Sequence, residues 1–282
     1  MTCFADSACA VVTEIVENVR IARDTMRLRF RAPEMAQNVV PGQFFMLRNP
    51  AGNDPLIGRA FALYDLADDD GGDWLDVVYI VKGKLTSSLV GLGAGAPLAV
   101  WGPLGNGFPT PQTDHLVMVA GGVGQTPFLA LAKEALRRQR FGGTGQRPLA
   151  TCGRVSLCYG ARSADYLAGL EQFRAAGVEV HVATEDGSIG PPQRVTEVLA
   201  KVLDESPRAQ VVCCGPEAMM EAVACMTAAR AVECQVSLET PMACGIGICF
   251  TCVAKVGSPA DWDYKRTCVE GPVFDARQIV WH

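Results

Sequence analysis

From residue 9 to about 107, apolar side chains recur at every second position, as in TMRLRFRAP (Met26, Leu28, Phe30), GQFFMLRNP, RAFALYDLA, WLDVVYIVKG and PLAVWGPLG. A strand turns successive side chains to opposite faces, so this period predicts strands with one face in a core. Pro, Gly and Asp break the runs at short spacing, which predicts an antiparallel barrel or sandwich. ADDDGGD (67–73) reads as a hairpin loop. From about residue 114 the rhythm changes. Apolar strands now precede helical runs: HLVMVA then TPFLALAKEALRRQR, RVSLCYG then ADYLAGLEQFRAAG, VEVHVAT then RVTEVLAKVLDES, AQVVCC then PEAMMEAVACMTAARA, and finally ECQVSLE. Strand and helix in strict succession predict a parallel sheet covered on both faces. FGGTGQRP (141–148) is a flexible connection within that unit, and the stretch from 238 onward is loop-rich. The expected bounds are 9–110, 111–237 and 238–282.

With 282 residues, 49% of them apolar, the chain is long enough for two ordinary domains and a small third. Net charge is −5 and the basic residues are scattered singly, so nothing resembles a footprint for nucleic acid or an anionic membrane. No apolar run approaches the roughly 18 residues that span a bilayer. MTCFADSACA lacks the basic and apolar regions of a secretion signal, so the expected location is the cytosol. In a reducing cytosol, twelve cysteines do not read as a disulfide framework. Eight of them, Cys3, Cys9, Cys152, Cys158, Cys213, Cys214, Cys225 and Cys234, read as small hydrophobes, with Cys214 the one exception kept open. The histidines are His115, His181 and His282, too few for an easy histidine-centred triad or mixed His/Cys metal site.

Candidate chemistry sits at the turns. In AGGVGQTPF a strand runs into Gly121, Gly122 and Gly124 before Thr126 and Pro127 open a helix. Such glycines let the backbone approach a pyrophosphate at a helix N-terminus. CCGPEAMM ends what reads as the last parallel strand in a second sharp turn, Cys214, Gly215 and Pro216. Two such turns facing one cleft favour a nucleotide site, although a glycine turn between strand and helix is common. RAFALY puts Arg59 at a strand start, and KGKLTSSLVGL presents Thr86 at a helix N-terminus. These suit phosphate contact, although each alone reads sooner as a surface charge or a helix cap.

The cysteines of ETPMACGIGICFTCVAKVG, Cys244, Cys249 and Cys252, stand at C-x4-C-x2-C, with Cys268 further on in KRTCVEGPVF. This is the ligand spacing of plant-type [2Fe–2S] ferredoxins. Gly245 and Gly247 suit a loop wrapped around a cluster. Structural zinc is the alternative, but it favours paired C-x2-C knuckles and the chain has one. Unligated thiols are the third reading.

The order of parts, R-x-F-A, G-K-L-T, GGVGQTP and CGPEAMM, resembles the ferredoxin–NADP reductase superfamily, in which a flavin-binding barrel precedes a nicotinamide-binding α/β domain. MACGIGICFTC with CVEGPVF narrows the likeness to the family of electron-transfer subunits of dihydroorotate dehydrogenase B. The resemblance covers nearly the whole chain from about residue 10. It implies a multidomain β plus α/β protein: an antiparallel FAD-binding barrel, a parallel-sheet NAD-binding domain and a small C-terminal [2Fe–2S] module. It further implies that Arg59, Ala60, Phe61 and Ala62 line the flavin, that Val78, Tyr79 and Ile80 lie against FAD, and that Leu85 and Thr86 bind its phosphates. Gly121, Gly122, Gly124, Thr126 and Pro127, with Cys214, Gly215 and Pro216, match the nicotinamide-binding turns. Cys244, Cys249, Cys252 and Cys268 match the cluster ligands. Three positions depart from the superfamily pattern: Ala62 stands where Ser or Thr is usual, Ile80 where Arg is frequent, and Leu85 where glycine is common.

The implied cofactors are FAD, a [2Fe–2S] cluster and NAD. The implied partner is an FMN-containing dihydroorotate dehydrogenase catalytic subunit, two copies of each in the assembly. Electrons would run from dihydroorotate through FMN, cluster and FAD to NAD⁺, in pyrimidine biosynthesis. Hydride transfer needs no side-chain acid or base, so no catalytic residue is expected. Glu185 and Asp186 close the strand of HVATEDGSIG, and acidic groups near a ribose disfavour a 2′-phosphate, which points to NAD. Arg162 points the other way. Two other readings stay open: a flavin and iron–sulfur reductase subunit of a bifurcating ferredoxin:NADP reductase, sulfhydrogenase or sulfite reductase, and a non-enzymatic zinc-binding scaffold.

Overall fold

Six strands with one apolar face each, β1 (Cys9–Ala22), β2 (Thr25–Arg31), β3 (Phe44–Arg48), β4 (Arg59–Ala67), β5 (Trp74–Ile80) and β6 (Pro97–Leu104), close into an antiparallel barrel. The order is β1-β2-β5-β4-β3-β6, and β1 pairs with both β2 and β6. Closure distinguishes the barrel from a sandwich and removes the free edges. Leu28, Phe30, Leu63, Leu75, Val77, Leu98 and Val100 fill its interior. A short helix, α1 (Pro33–Asn38), buries Met35 and Ala36 in the same core. Two turns are too short to register as a period in the sequence. A second helix, α2 (Lys84–Val90), follows β5. This computed structural model describes residues 8–67, 74–143 and 147–281. Residues 68–73 of the hairpin loop expected at 67–73, the centre of the 141–148 connection, the N-terminal stretch with Cys3, and His282 lie outside the described residues.

The second half builds a sheet in the order β14-β11-β10-β7-β8-β9. Five strands run parallel: β7 (His115–Gly121), β8 (Arg154–Ala161), β9 (Glu179–Thr184), β10 (Gln210–Cys214) and β11 (Cys234–Ser237). The helices are α3 (Phe128–Ala135), α4 (Leu170–Ala176), α5 (Val195–Glu205) and α6 (Glu217–Ala229). Alternation along β7 supplies two cores at once. Leu116, Met118 and Ala120 face one cluster with Phe128 and Phe173, whereas Val117 and Val119 face another with Leu199 and Val223. The chain moves outward from β7 to β9, then returns to the far side of β7 for β10. That reversal opens a crevice at the C-terminal ends of β7 and β10, where open α/β sheets bind ligands. The last parallel strand is β11 rather than β10.

The C-terminal stretch is not a free-standing unit. It forms a hairpin of β12 (Val253–Ser258) and β13 (Asp261–Arg266), then returns β14 (Val273–Asp275) antiparallel to β11 at the edge of the α/β sheet. Three residues with no distinctive period gave no sequence signal for a sixth strand. Among the described residues no helix is long and apolar enough to cross a membrane.

The barrel docks on the α/β half through the end of β4. Tyr64 joins the core of Phe108 and Phe128, and Gln139 Nε2 donates to the Leu66 carbonyl at 3.1 Å. Lys133 Nζ donates to both Asp65 oxygens at 2.7 Å. Burial raises the Asp65 carboxyl to about 6 although Lys133 opposes the rise. The ordinary value is 3.8, so the folded chain binds this proton more tightly than the unfolded one. The stability due to Asp65 therefore falls as pH rises from about 4 to about 6. Wild type is expected to lose stability relative to Asp65→Asn across that window, read by denaturant unfolding at each pH. The opposite trend would mean that the Lys133 pair outweighs burial.

Candidate cofactor cleft and cysteine loop

One cavity of about 830 Å³ opens where barrel, sheet and C-terminal stretch meet. From β4 it is bordered by Arg59, Ala60, Phe61 and Ala62, and from β5 by Val78, Tyr79 and Ile80. Leu85 and Thr86 of α2 border it, as do Gly124, Thr126 and Pro127 after β7 and Cys214, Gly215 and Pro216 after β10. Residues spread over more than 150 positions thus share one wall. Gly121 and Gly122 do not border it. A side chain at Gly121 would meet Pro216 Cδ at 2.6 Å and Met219 Sδ at 2.7 Å, so this glycine lets the two turns pack together behind the wall. Leu85 is 2% exposed within the barrel core, which leaves its main chain as the part available to the cleft.

Local hydrogen bonds shape the barrel side. The Thr86 hydroxyl accepts from the Lys82 and Gly83 amides at 3.0 Å each, and it donates to the Gly83 carbonyl. It therefore holds the turn before α2 rather than standing free. Arg59 Nη1 donates to the Ile57 and Gly58 carbonyls, and Lys84 pairs with Asp54 on the surface at 2.7 Å. Lys82, Lys84 and Lys255 also border the cavity. With Arg59 they supply positive charge suited to a pyrophosphate. On the opposite side, burial pushes the Cys214 thiol up to about 12, with Glu239 nearby adding to the rise. A neutral thiol there behaves as an apolar wall element.

Several lining residues carried no role in the sequence. Lys82 and Lys84 stand beside Thr86, so their charge was visible in the quoted stretch. Glu239, Thr240, Met242, Lys255 and Trp281 border the cavity as well, and only long-range folding brings them there. Glu185 and Asp186 lie just past β9 and do not border it. Asp186 accepts from the Ser188 amide and hydroxyl at 2.9 and 2.7 Å, bonds that depress its carboxyl.

Cys244, Cys249 and Cys252 sit on the neighbouring loop before β12, and Cys268 in the turn after β13. Cys252 and Cys268 are buried against Phe44, Met46 and Leu104 of the barrel, while Cys244 is half-buried and Cys249 exposed. Gly245 and Gly247 have φ of +75° and +83°, where a Cβ is disfavoured. A Cβ at Gly245 would also stand 2.8 Å from both Leu104 Cδ1 and Met46 Cγ. The Ile246 amide donates to Cys244 Sγ at 3.4 Å. Hydrogen bonds from Thr251, then from Cys244, hold the Cys249 thiol down to about 6, whereas burial and then Cys252 push Cys268 up to about 12. Among the described residues no three His, Cys, Asp or Glu side chains converge as a ready metal-ligating group. The thiols stand as two pairs, Cys244 with Cys249 and Cys252 with Cys268, and Cys244 also acts on Cys268. Four thiols on one loop system, one of them held toward thiolate and with amides aimed at sulfur, fit an iron–sulfur cluster in donor type. The cleft likewise fits a flavin dinucleotide in size and lining.

Such a fold and site define a flavin- and nicotinamide-linked reductase with an iron–sulfur module. Residues 12–108 match the oxidoreductase FAD-binding domain, residues 118–225 the oxidoreductase NAD-binding domain, and residues 239–280 the iron-sulfur cluster binding domain of dihydroorotate dehydrogenase B. The chain belongs to the family of dihydroorotate dehydrogenase B (NAD(+)) electron transfer subunits. It is 34% identical to that subunit from Desulforamulus reducens over 262 residues, 93% of this chain and 94% of the relative. The Geobacillus kaustophilus subunit is 34% identical over 264 residues, 92% and 94% of the two chains. Among solved structures, an NADH-dependent reduced ferredoxin-NADP oxidoreductase that carries out flavin-based electron bifurcation superposes with a TM-score of 0.80. It is 27% identical, with 96% and 90% of the chains covered. Phthalate dioxygenase reductase, at 18% identity and TM-score 0.60 over 88% and 87%, shares the fold.

Gly124 marks the tightest point of the cleft. A Cβ there would run into the Cys214 carbonyl group, 2.6 Å from its carbon, and stand 2.8 Å from Gly215 Cα. All are backbone atoms with nowhere to turn. Gly124→Ala is expected to cost about 1–3 kcal/mol and to raise KM for the dinucleotide more than it lowers FAD content. Thermal melts and NADH titration check this.

Proposed function

We propose that this chain carries electrons from the FMN of a dihydroorotate dehydrogenase catalytic subunit through a [2Fe–2S] cluster and FAD to NAD⁺, in pyrimidine biosynthesis. The observation that carries the reading is the single cavity bordered at once by the β4 and β5 strands, the two dinucleotide turns and Thr240 and Met242 just before Cys244. On this reading residues 9–110 hold FAD, 111–237 bind NAD, and 238–282 hold the cluster through Cys244, Cys249, Cys252 and Cys268. FAD, when bound, exchanges electron pairs with nicotinamide and single electrons with a cluster.

The chain's own residues then bind, orient and exclude water. Arg59, Lys82 and Lys84 balance phosphate charge, Thr86 fixes the amides before α2, and Gly124 and Gly215 let backbone approach the dinucleotide. Apolar Phe61, Val78, Ile80, Ile279 and Trp281 border the cavity and exclude water from the bound rings. Ala62 offers no hydroxyl, so orientation at that point rests on shape. The NAD(+)-linked relatives support NAD over NADP, since Glu185 and Asp186 lie outside the cavity, and a strong kinetic preference for NADPH would overturn that choice. The cytoplasm is the proposed location.

A partner surface surrounds the cysteine loop. Ile246, Ile248, Phe250, Trp262 and Tyr264 are exposed, Ile248 by 75%. Phe250 holds φ at +54°, a conformation bulky residues rarely take, with Arg266 stacked 5.3 Å from its ring centre. Exposed apolar side chains of this kind support docking of the catalytic subunit beside the cluster, with two copies of each in the assembly. The likeness to the bifurcating oxidoreductase favours a second reading, a reductase subunit of such a complex; the higher identity to the dihydroorotate dehydrogenase B subunits favours the first.

Anaerobically purified chain is expected to contain about two irons and one FAD and to bleach in the visible on NADH. A colourless, zinc-containing chain that ignores NADH after reconstitution would overturn the assignment. Adding the FMN-containing subunit is expected to produce dihydroorotate-dependent NAD⁺ reduction. Ile248→Asp is expected to weaken that association about 10-fold or more while NADH bleaching of the isolated chain persists. Recovery of a ferredoxin reductase large subunit as native partner would favour the second reading.

A further inference from the structure

Trp101 of β6 touches both halves of the electron path. Its Nε1–H donates to the carbonyl of Cys244 at 3.0 Å, across 143 positions of sequence. The other edge of the indole closes on Gly58, the residue just before Arg59 and Ala60 of the cleft. A Cβ at Gly58 would stand 2.6 Å from Trp101 Cη2 and 2.8 Å from the Leu47 carbonyl. The same indole packs against the group formed by Phe44, Met46, Leu104, Cys252 and Cys268, as does Ala60. One rigid side chain therefore spans from the start of β4 to the first cysteine of the loop.

We propose that Trp101 is a positioning residue that sets the cysteine loop against the flavin strand, an inference resting on the cluster reading above. Three features support it. Indole is the widest planar side chain, with a single donor, so bonding one carbonyl fixes its distance from whatever the ring packs on. Gly58 leaves the space that the ring needs. The bonded carbonyl belongs to a residue whose sulfur is a proposed ligand, and hydrogen bonding and solvent exposure around such sulfurs set a cluster's reduction potential. Without the donor, the loop loses its tie to the barrel, water reaches the Cys244 peptide and the cluster environment changes. The nicotinamide turns follow β7 and β10 and take no part in this bond.

The test uses the full chain, loaded with FAD and cluster, as wild type, Trp101→Phe and Gly58→Ala. Phe keeps a ring and removes the donor; Ala at 58 keeps the donor and pushes the ring. Trp101→Phe is expected to keep NADH reduction of FAD at the wild-type rate. Both variants are expected to shift the electron paramagnetic resonance signal and midpoint potential of the reduced cluster. Amide hydrogen exchange over 244–252 is expected to rise about tenfold in Trp101→Phe. Signal, potential and exchange that superimpose on wild type in both variants would overturn the proposal. A wild-type chain without iron would instead overturn the cluster reading. Exchange over 244–252 in the iron-free chain then decides the role of Trp101, equal exchange in wild type and Trp101→Phe overturning it. Should Trp101→Phe fail to fold, Gly58→Ala decides, an unshifted signal counting against the proposal.

Discussion

Asn106 holds the three parts of this chain in one arrangement. Its amide donates to the Gly271 carbonyl at 2.7 Å, and its side-chain nitrogen donates to the Val273 and Glu270 carbonyls at 2.8 and 3.2 Å. The side-chain oxygen accepts from the Val273 amide at 3.1 Å. An asparagine at the exit of the barrel thus pairs with the backbone that enters β14, and β14 in turn pairs with the α/β sheet. A buried backbone group left without such a partner costs about 1–3 kcal/mol, so the junction has one low-energy geometry. Gly105 beside it allows the approach, since a Cβ there would meet Pro272 Cδ at 2.6 Å.

That junction explains why one cavity serves two domains and a loop. Barrel and sheet each present a wall: the start of β4 and the end of β5 reach the cleft, while β7 feeds cores on both sides of its sheet. The return of the chain from β9 to β10 places two glycine turns side by side. The C-terminal stretch, pinned by Asn106 and β14, closes the third side with Lys255 and Trp281.

The cysteine loop draws its order from its surroundings. Two left-handed glycines bend it, Met46 and Leu104 lie beneath it, and Arg266 ties it back by donating to the Gly247 carbonyl at 3.1 Å. Cys252 is held through Thr267, whose amide and hydroxyl both donate to its carbonyl at 2.7 and 3.0 Å. The thiols of Cys252 and Cys268 are thereby placed on a barrel surface that Ala60 of β4 shares, with apolar side chains of the loop left outward.

Local pattern was enough to read the strands of the barrel, the alternation of strand and helix, the turns at Gly124 and Gly215, and the cysteine spacing. Each depends on neighbours within a few residues: a period of two, a glycine where φ or close approach demands it, a fixed count between thiols. The strand pattern by itself read as barrel or sandwich, because closure is a pairing of β1 with β6 across some ninety positions. Nor did it show that Gly121 serves packing, that the Leu85 side chain belongs to the barrel core, or that Trp281 and Lys255 border the cleft. The short α1 and β14 lack the length for a period, and the roles of Asn106 and Trp101 exist only in contacts made far along the chain. Side chains of those types occur on any surface; the tertiary fold alone decides which carbonyl each one meets.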